Sequence, residues 1–160
     1  MSVLPSVVVP PGAGQVVRAF GDEMLVHLDG AQTGGAFAMF TLTTPPGGGP
    51  PLHHHDNEDE WFYPLEGRVE FFRDGAWSEV PMGTVVFMPR GVVHTFRNPG
   101  PAPLRMLIHT SPAGFERFFA RCAAEFDKPG EPEMARIVQI AAEHGIHFAT
   151  TNSPGATSTA

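Results

Sequence analysis

The stretch Gly47-Gly48-Gly49-Pro50-Pro51-Leu52-His53-His54-His55-Asp56-Asn57-Glu58-Asp59-Glu60-Trp61-Phe62-Tyr63-Pro64-Leu65-Glu66-Gly67 places His53, His55 and Glu60 within eight residues. Side chains two apart on an extended strand project to one face, so His53 and His55 point together and His54 points away. Asp56-Asn57-Glu58-Asp59 is turn-prone and can bring Glu60 back beside them. Two imidazoles and one carboxylate then converge. Glu58 and Asp59 read as solvated turn residues, because Glu60 has the spacing of a ligand.

A second stretch, Gly83-Thr84-Val85-Val86-Phe87-Met88-Pro89-Arg90-Gly91-Val92-Val93-His94-Thr95-Phe96-Arg97-Asn98, supplies another imidazole after a Pro-Arg-Gly turn. Three neutral nitrogens and a carboxylate oxygen suit divalent Fe, Ni, Mn, Co, Cu or Zn better than Ca or Mg. Four protein ligands leave two positions open on an octahedral ion, which marks a chemical rather than a structural site. Phe62, Met88 and Phe96 are candidate cavity walls. Trp61 and Tyr63, in the opposite phase to Glu60 and Phe62, face away from the metal, towards helices or another subunit.

Outward from these stretches the chain reads as short strands: Gln15–Phe20, Glu23–Leu28, Ala36–Thr44, Trp61–Leu65, Val69–Arg73, Trp77–Val80, Thr84–Met88, Val92–Arg97 and Leu104–Thr110. Glu66-Gly67 and Asp74-Gly75 are read as hairpin turns. Strands every eight to twelve residues, punctuated by 18 Gly and 17 Pro, predict an all-β sandwich or barrel. Residues 1–12 form an apolar arm expected to add a strand.

After residue 111 the period changes. Phe115, Phe118, Phe119, Cys122 and Phe126 fall on one face of a helix, which predicts core packing rather than a ligand-binding face. A second helix follows Pro132 and ends near Gly145, with Met134, Ile137, Val138 and Ala141 inward. Residues 1–110 thus form the barrel with its N-terminal strand arm, 111–149 a helical extension of the same domain, and 150–160 a disordered Ser/Thr/Gly tail.

The formal charge of −7 disfavours phosphate backbones and anionic membranes, so nucleic acid is excluded as a partner. No stretch approaches the roughly 20 apolar residues of a membrane span. The lone Cys122 and the absence of a signal-like N-terminus lead to a cytoplasmic expectation.

Written as spacings, the two stretches resemble the two motifs of the cupin superfamily, with every specified position filled: Gly47, His53, His55, Glu60 and Gly67, then Gly83, Pro89, Gly91, His94 and Asn98. The fifteen residues between Gly67 and Gly83 match small single-domain cupins. The resemblance implies a double-stranded β-helix, or jelly roll, holding one divalent metal with His53, His55, Glu60 and His94. Trp61–Phe71 and Ser111–Phe119 also resemble quercetin-dioxygenase-like cupins. This implies a metal-dependent dioxygenase that takes a small enolisable or phenolic, flavonol-like substrate together with O2. Glu60 would then have a second, catalytic duty, accepting the proton of the bound enol hydroxyl. The alternatives are a non-redox zinc cupin (isomerase, lyase or polyketide cyclase) and a non-catalytic small-molecule-binding cupin. Cupins of this size also imply a homodimer.

Overall fold

The computed structural model describes residues 3–149. Eleven strands and two helices follow in the order β1 (Gln15–Ala19), β2 (Asp22–Leu28), β3 (Ala38–Thr44), β4 (His53–His55), β5 (Asp59–Glu66), β6 (Val69–Arg73), β7 (Ala76–Val80), β8 (Val86–Met88), β9 (Thr95–Arg97), β10 (Leu104–Ser111), α1 (Phe115–Phe126), α2 (Met134–Glu143) and β11 (Ile146–Phe148). One antiparallel sheet runs β1-β2-β3-β10-β5-β8. A second layer is made of β7-β6-β9 and β11-β4, joined by an antiparallel bridge between His53 and His94. The architecture is a double-stranded β-helix with two C-terminal helices.

Alternation explains why these strands form. In β10, Leu104, Met106, Ile108 and Thr110 are buried while their neighbours are partly exposed. β2 shows the same phase with Asp22, Met24 and Val26 inside. Such period-2 burial fixes register, since a one-residue slip would turn every apolar side chain outward.

The β6–β7 hairpin has the left-handed pair expected of a tight turn, Asp74 at φ 51° and Gly75 at φ 80°. Glu66-Gly67 differs from the hairpin expectation. Here the chain leaves the first sheet for the second, with Gly67 at φ 92° packed against the Pro103–Leu104 backbone. The expected N-terminal strand is also absent among the described residues, because residues 3–14 pair with no strand. Pro5, Pro10 and Pro11 lack the donors that a ladder requires. The tail expected to be disordered, 150–160, lies outside the described residues.

Helix α1 packs on the hairpin of β1 and β2. Phe20 at its turn stands 5.0 Å from Phe126 and 5.9 Å from Phe119, and Phe115 stacks on Phe40 at 5.5 Å. Buried Glu116 anchors the start of α1, accepting hydrogen bonds from Gly114 N (2.8 Å) and Gly30 N (3.2 Å). In α2 the inward residues are Ile137, Ile140 and Ala141. Met134 and Val138, expected inside, are at least half exposed, because the buried face is rotated towards Ile140. Neither helix is long and apolar enough to cross a membrane.

The chain after α2 had no strand signal, yet Ile146–Phe148 pairs with His53–His55, matching Ile146 to His55, His147 to His54 and Phe148 to His53. This closing strand puts the C-terminal segment directly against the histidine-bearing strand.

Candidate metal centre

His53, His55, Glu60 and His94 converge, each offering one donor atom within 4.8 Å of the others, and all four are buried. Three local features bring them together. β4 alternation puts His53 and His55 on one face. The antiparallel bridge (His53 N to His94 O 3.1 Å, His94 N to His53 O 2.9 Å) sets His94 beside His53. Glu60 follows the turn, near the start of β5, on the same inner face.

Other motif positions hold the frame. Gly91 N donates to His55 O at 2.7 Å. Asn98, fully buried, donates through Nδ2 to Thr44 O (3.1 Å) and Ala102 O (2.9 Å), and its backbone N and O bond Gly48 O and Gly47 N. It ties the Gly/Pro loop to β9.

The second ring nitrogen of each histidine is spoken for. Nδ1 of His53 bonds Pro51 O at 2.8 Å, Nδ1 of His94 bonds Val92 O at 2.9 Å, and Nδ1 of His55 meets Glu58 Oε2 at 3.3 Å. A hydrogen on Nδ1 donated to oxygen leaves Nε2 as a lone pair for an ion, whereas in the metal-free chain the contact of His94 Nε2 with Glu60 takes a hydrogen on Nε2. His94 Nε2 and His55 Nε2 lie 3.2 and 3.7 Å from Glu60 Oε2. Ligand bonds of ~2.1 Å at right angles put donors about 3 Å apart, close to these spacings. His55 Nε2 is buried with no hydrogen-bond partner, a deficit that a cation removes.

The electrostatics agree. Burial pushes His53 down to about 3, so its imidazole is neutral at physiological pH and can act as a ligand. Burial works against ionisation of Glu60, but the His94 hydrogen bond and the surrounding imidazoles outweigh it and hold the carboxyl below its ordinary value. For His55, burial is likewise outweighed, by the Glu58 hydrogen bond and the Glu60 charge, and its pKa rises. Two carboxylates that favour a proton on His55 also favour a cation at its Nε2. The group can therefore hold a divalent metal ion.

Glu58 departs from the sequence expectation. It is no ligand, but it is buried rather than solvated, and it orients His55. Asp59 does face outward, paired with Arg90 at 2.9 Å. Trp61 packs on Phe87 and His109 on the outer side of the sheet, not on the helices, and Tyr63 is exposed.

Against His53 and Glu60 lies a cavity of about 280 Å³, walled by Leu42, Phe62, Phe96, Ile108, Phe115, Phe118, Phe119, Ile146 and Phe148 among others. Phe62 and Phe96 are cavity walls as expected; Met88 is buried but not one of them. The Phe stripe of α1 is a packing face, yet three of its rings also line the cavity. Helical periodicity reports that a face is covered, not that a space lies beneath it.

Asp22 is another lining residue that the sequence did not mark, since it sits just after the Phe20-Gly21 turn. Burial raises its carboxyl from 3.8 to about 6, against a smaller opposing influence from Thr44. Thr44 lies beside it without forming an aligned hydrogen bond, and both Asp22 Oδ1 and Thr44 Oγ1 have no partner. A raised carboxyl binds its proton more tightly in the folded chain. Its contribution to stability is therefore full below about pH 4 and lost as pH rises through 6. Asp22→Asn is expected to stabilise the protein by about 1–3 kcal/mol at pH 7.5 and by little at pH 4. Thermal melts at the two pH values check this; equal shifts at both would contradict it.

Residues 40–110 match the family described as Cupin domain. This match, together with the fold and the four converging side chains, supports the cupin superfamily. Among solved structures, a predicted oxalate decarboxylase from Thermotoga maritima is 25% identical with a TM-score of 0.60, covering 66% of this chain and 99% of its own. An RmlC-like cupin from Shewanella frigidimarina is 17% identical, with a TM-score of 0.59 and coverage of 72% and 99%. The polyketide cyclase RemF from Streptomyces resistomycificus is 24% identical, with a TM-score of 0.58 and coverage of 67% and 80%. The last two likenesses are of fold alone. No curated protein matches the sequence.

Proposed function

We propose that this chain is a metal-dependent enzyme for a small, largely apolar phenolic or enolisable substrate, and that its reaction is oxidative with O2 as co-substrate. One observation carries the reading: two of the four prospective ligands, His53 and Glu60, face a cavity whose other walls are nearly all hydrocarbon. Phe rings on several sides favour an aromatic occupant through edge and face contacts. At about 280 Å³ the cavity is at the small end of ligand pockets, which favours a substrate more compact than a flavonol.

A bound transition metal would supply Lewis acidity and, if redox-active, a path for electrons between substrate and O2. The chain's own contribution is positioning and proton transfer. Glu60, held ionised by His94 and the other imidazoles, accepts the proton of a substrate hydroxyl brought to the centre. The Phe walls exclude water and turn the reactive oxygen of the substrate towards the polar end formed by His53 and Glu60.

The test is oxygen uptake by protein loaded separately with Fe, Ni, Co, Mn and Zn, against a panel of phenols, enols and flavonols. Oxygen consumption in step with substrate loss is expected with at least one redox-active metal. Conversion under nitrogen by the zinc form would replace the oxidative step with isomerase, lyase or cyclase chemistry. Silence in air and under nitrogen with every metal would overturn the catalytic reading. Phe118→Trp, which fills the cavity without touching a ligand, is expected to raise KM several-fold while metal content stays unchanged.

A further inference from the structure

The outer face of β4 carries a second cluster of metal-binding side chains. His54 points away from the barrel interior, and its cross-strand partner on β11 is His147, with the two rings stacked at 5.2 Å. Asp56, just beyond β4, reaches both: Oδ2 lies 2.9 Å from His147 Nε2 and Oδ1 lies 3.4 Å from His54 Nε2. The three donor atoms fall within 4.8 Å of one another. A single Asp–His hydrogen bond would account for His147 alone. It does not account for a second imidazole nitrogen facing the other oxygen of the same carboxylate.

We propose that His54, Asp56 and His147 form a second, surface site for a divalent transition metal ion such as zinc, clipping β11 to β4. Donors at ~2.1 Å around a tetrahedral ion stand roughly 3.4 Å apart, which the observed spacings approach. Two imidazoles and one carboxylate select Zn, Cu, Ni or Co over Ca or Mg. All three side chains are partly exposed, so water completes the coordination. The site is independent of the reaction proposed above.

The position gives it a consequence. β11 has three residues, and Ile146 and Phe148 on either side of His147 wall the cavity. Besides the pairing with β4, the backbone is held nearby by Ala149 N to Leu52 O at 2.8 Å and Asp56 N to Gly145 O at 2.7 Å. An ion joining His147 to His54 and Asp56 fastens that wall from outside.

The experiment is zinc titration of untagged, metal-stripped full-length protein by calorimetry, with hydrogen exchange followed at Ile146–Phe148. Two equivalents are expected to bind the natural chain, and filling the second slows exchange in β11. His147→Gln and, separately, Asp56→Asn are expected to lose the second equivalent and the slowing while keeping the first. Because both positions are on the surface, these variants fold. Binding of one equivalent only, or a second equivalent that persists in both variants, would overturn the proposal and leave an Asp56–His147 hydrogen bond without an ion.

Discussion

Replacing His94 with alanine is expected to cost the central site its metal: affinity should fall by more than the roughly 10–100-fold that loss of an outer-shell partner costs. The reason is double. The substitution removes a donor whose Nε2 lies 3.2 Å from Glu60, and it strips Glu60, which is almost fully buried, of its best hydrogen bond. Without metal, the lost hydrogen bond to a charged group should also destabilise the chain by about 1.5–3 kcal/mol. Elemental analysis per folded chain, with melting curves in chelator, reads both effects. A His94→Ala protein that purifies with undiminished metal at the centre would show that the four side chains do not act as one ligand set.

Gly67→Ala should be strongly damaging although the residue touches no ligand. A Cβ there would stand 2.7 Å from Pro103 O and 2.9 Å from Leu104 Cα, with the backbone at φ 92°. The obstacle is backbone, so no side-chain rotation relieves it. Strain of about 1–3 kcal/mol from the dihedral and a similar overpacking cost predict a loss of about 2–5 kcal/mol. For a chain of this size that lowers Tm by about 10 °C. Gly75→Ala is the control, since φ is also positive at 80° but nothing lies within 4 Å of the added carbon. It should cost only about 1 kcal/mol. Equal losses for the two would mean that the dihedral alone, not the close approach of β10, demands glycine at position 67.

The barrel strands and the four prospective ligands were legible because both depend on local spacing. Alternation of period two is written into β2, β3 and β10, and His53, His55 and Glu60 are neighbours in the chain. What was hidden depends on contacts between distant segments. Glu58 has the composition of a turn residue, and only the packing around His55 makes it buried. Glu66-Gly67 has the local chemistry of a hairpin, and only the placement of β6 in the other sheet makes it a corner. Strand β11 is three residues long and owes its form to pairing with β4, so no periodicity could announce it. Asp22 continues the inward phase of Met24 and Val26, a signal that was present but masked by the adjacent Gly21.

The four side chains of the central site are complete by residue 94, whereas the cavity acquires Phe115, Phe118, Phe119, Ile146 and Phe148 from later in the chain. On the catalytic reading proposed above, the reacting centre is thus encoded ahead of much of the wall that would select its substrate. Substitutions along α1 and β11 would then reshape what is admitted while the four inner side chains stay as they are, so that the proposed chemistry could be redirected to new compounds by changes confined to the C-terminal third.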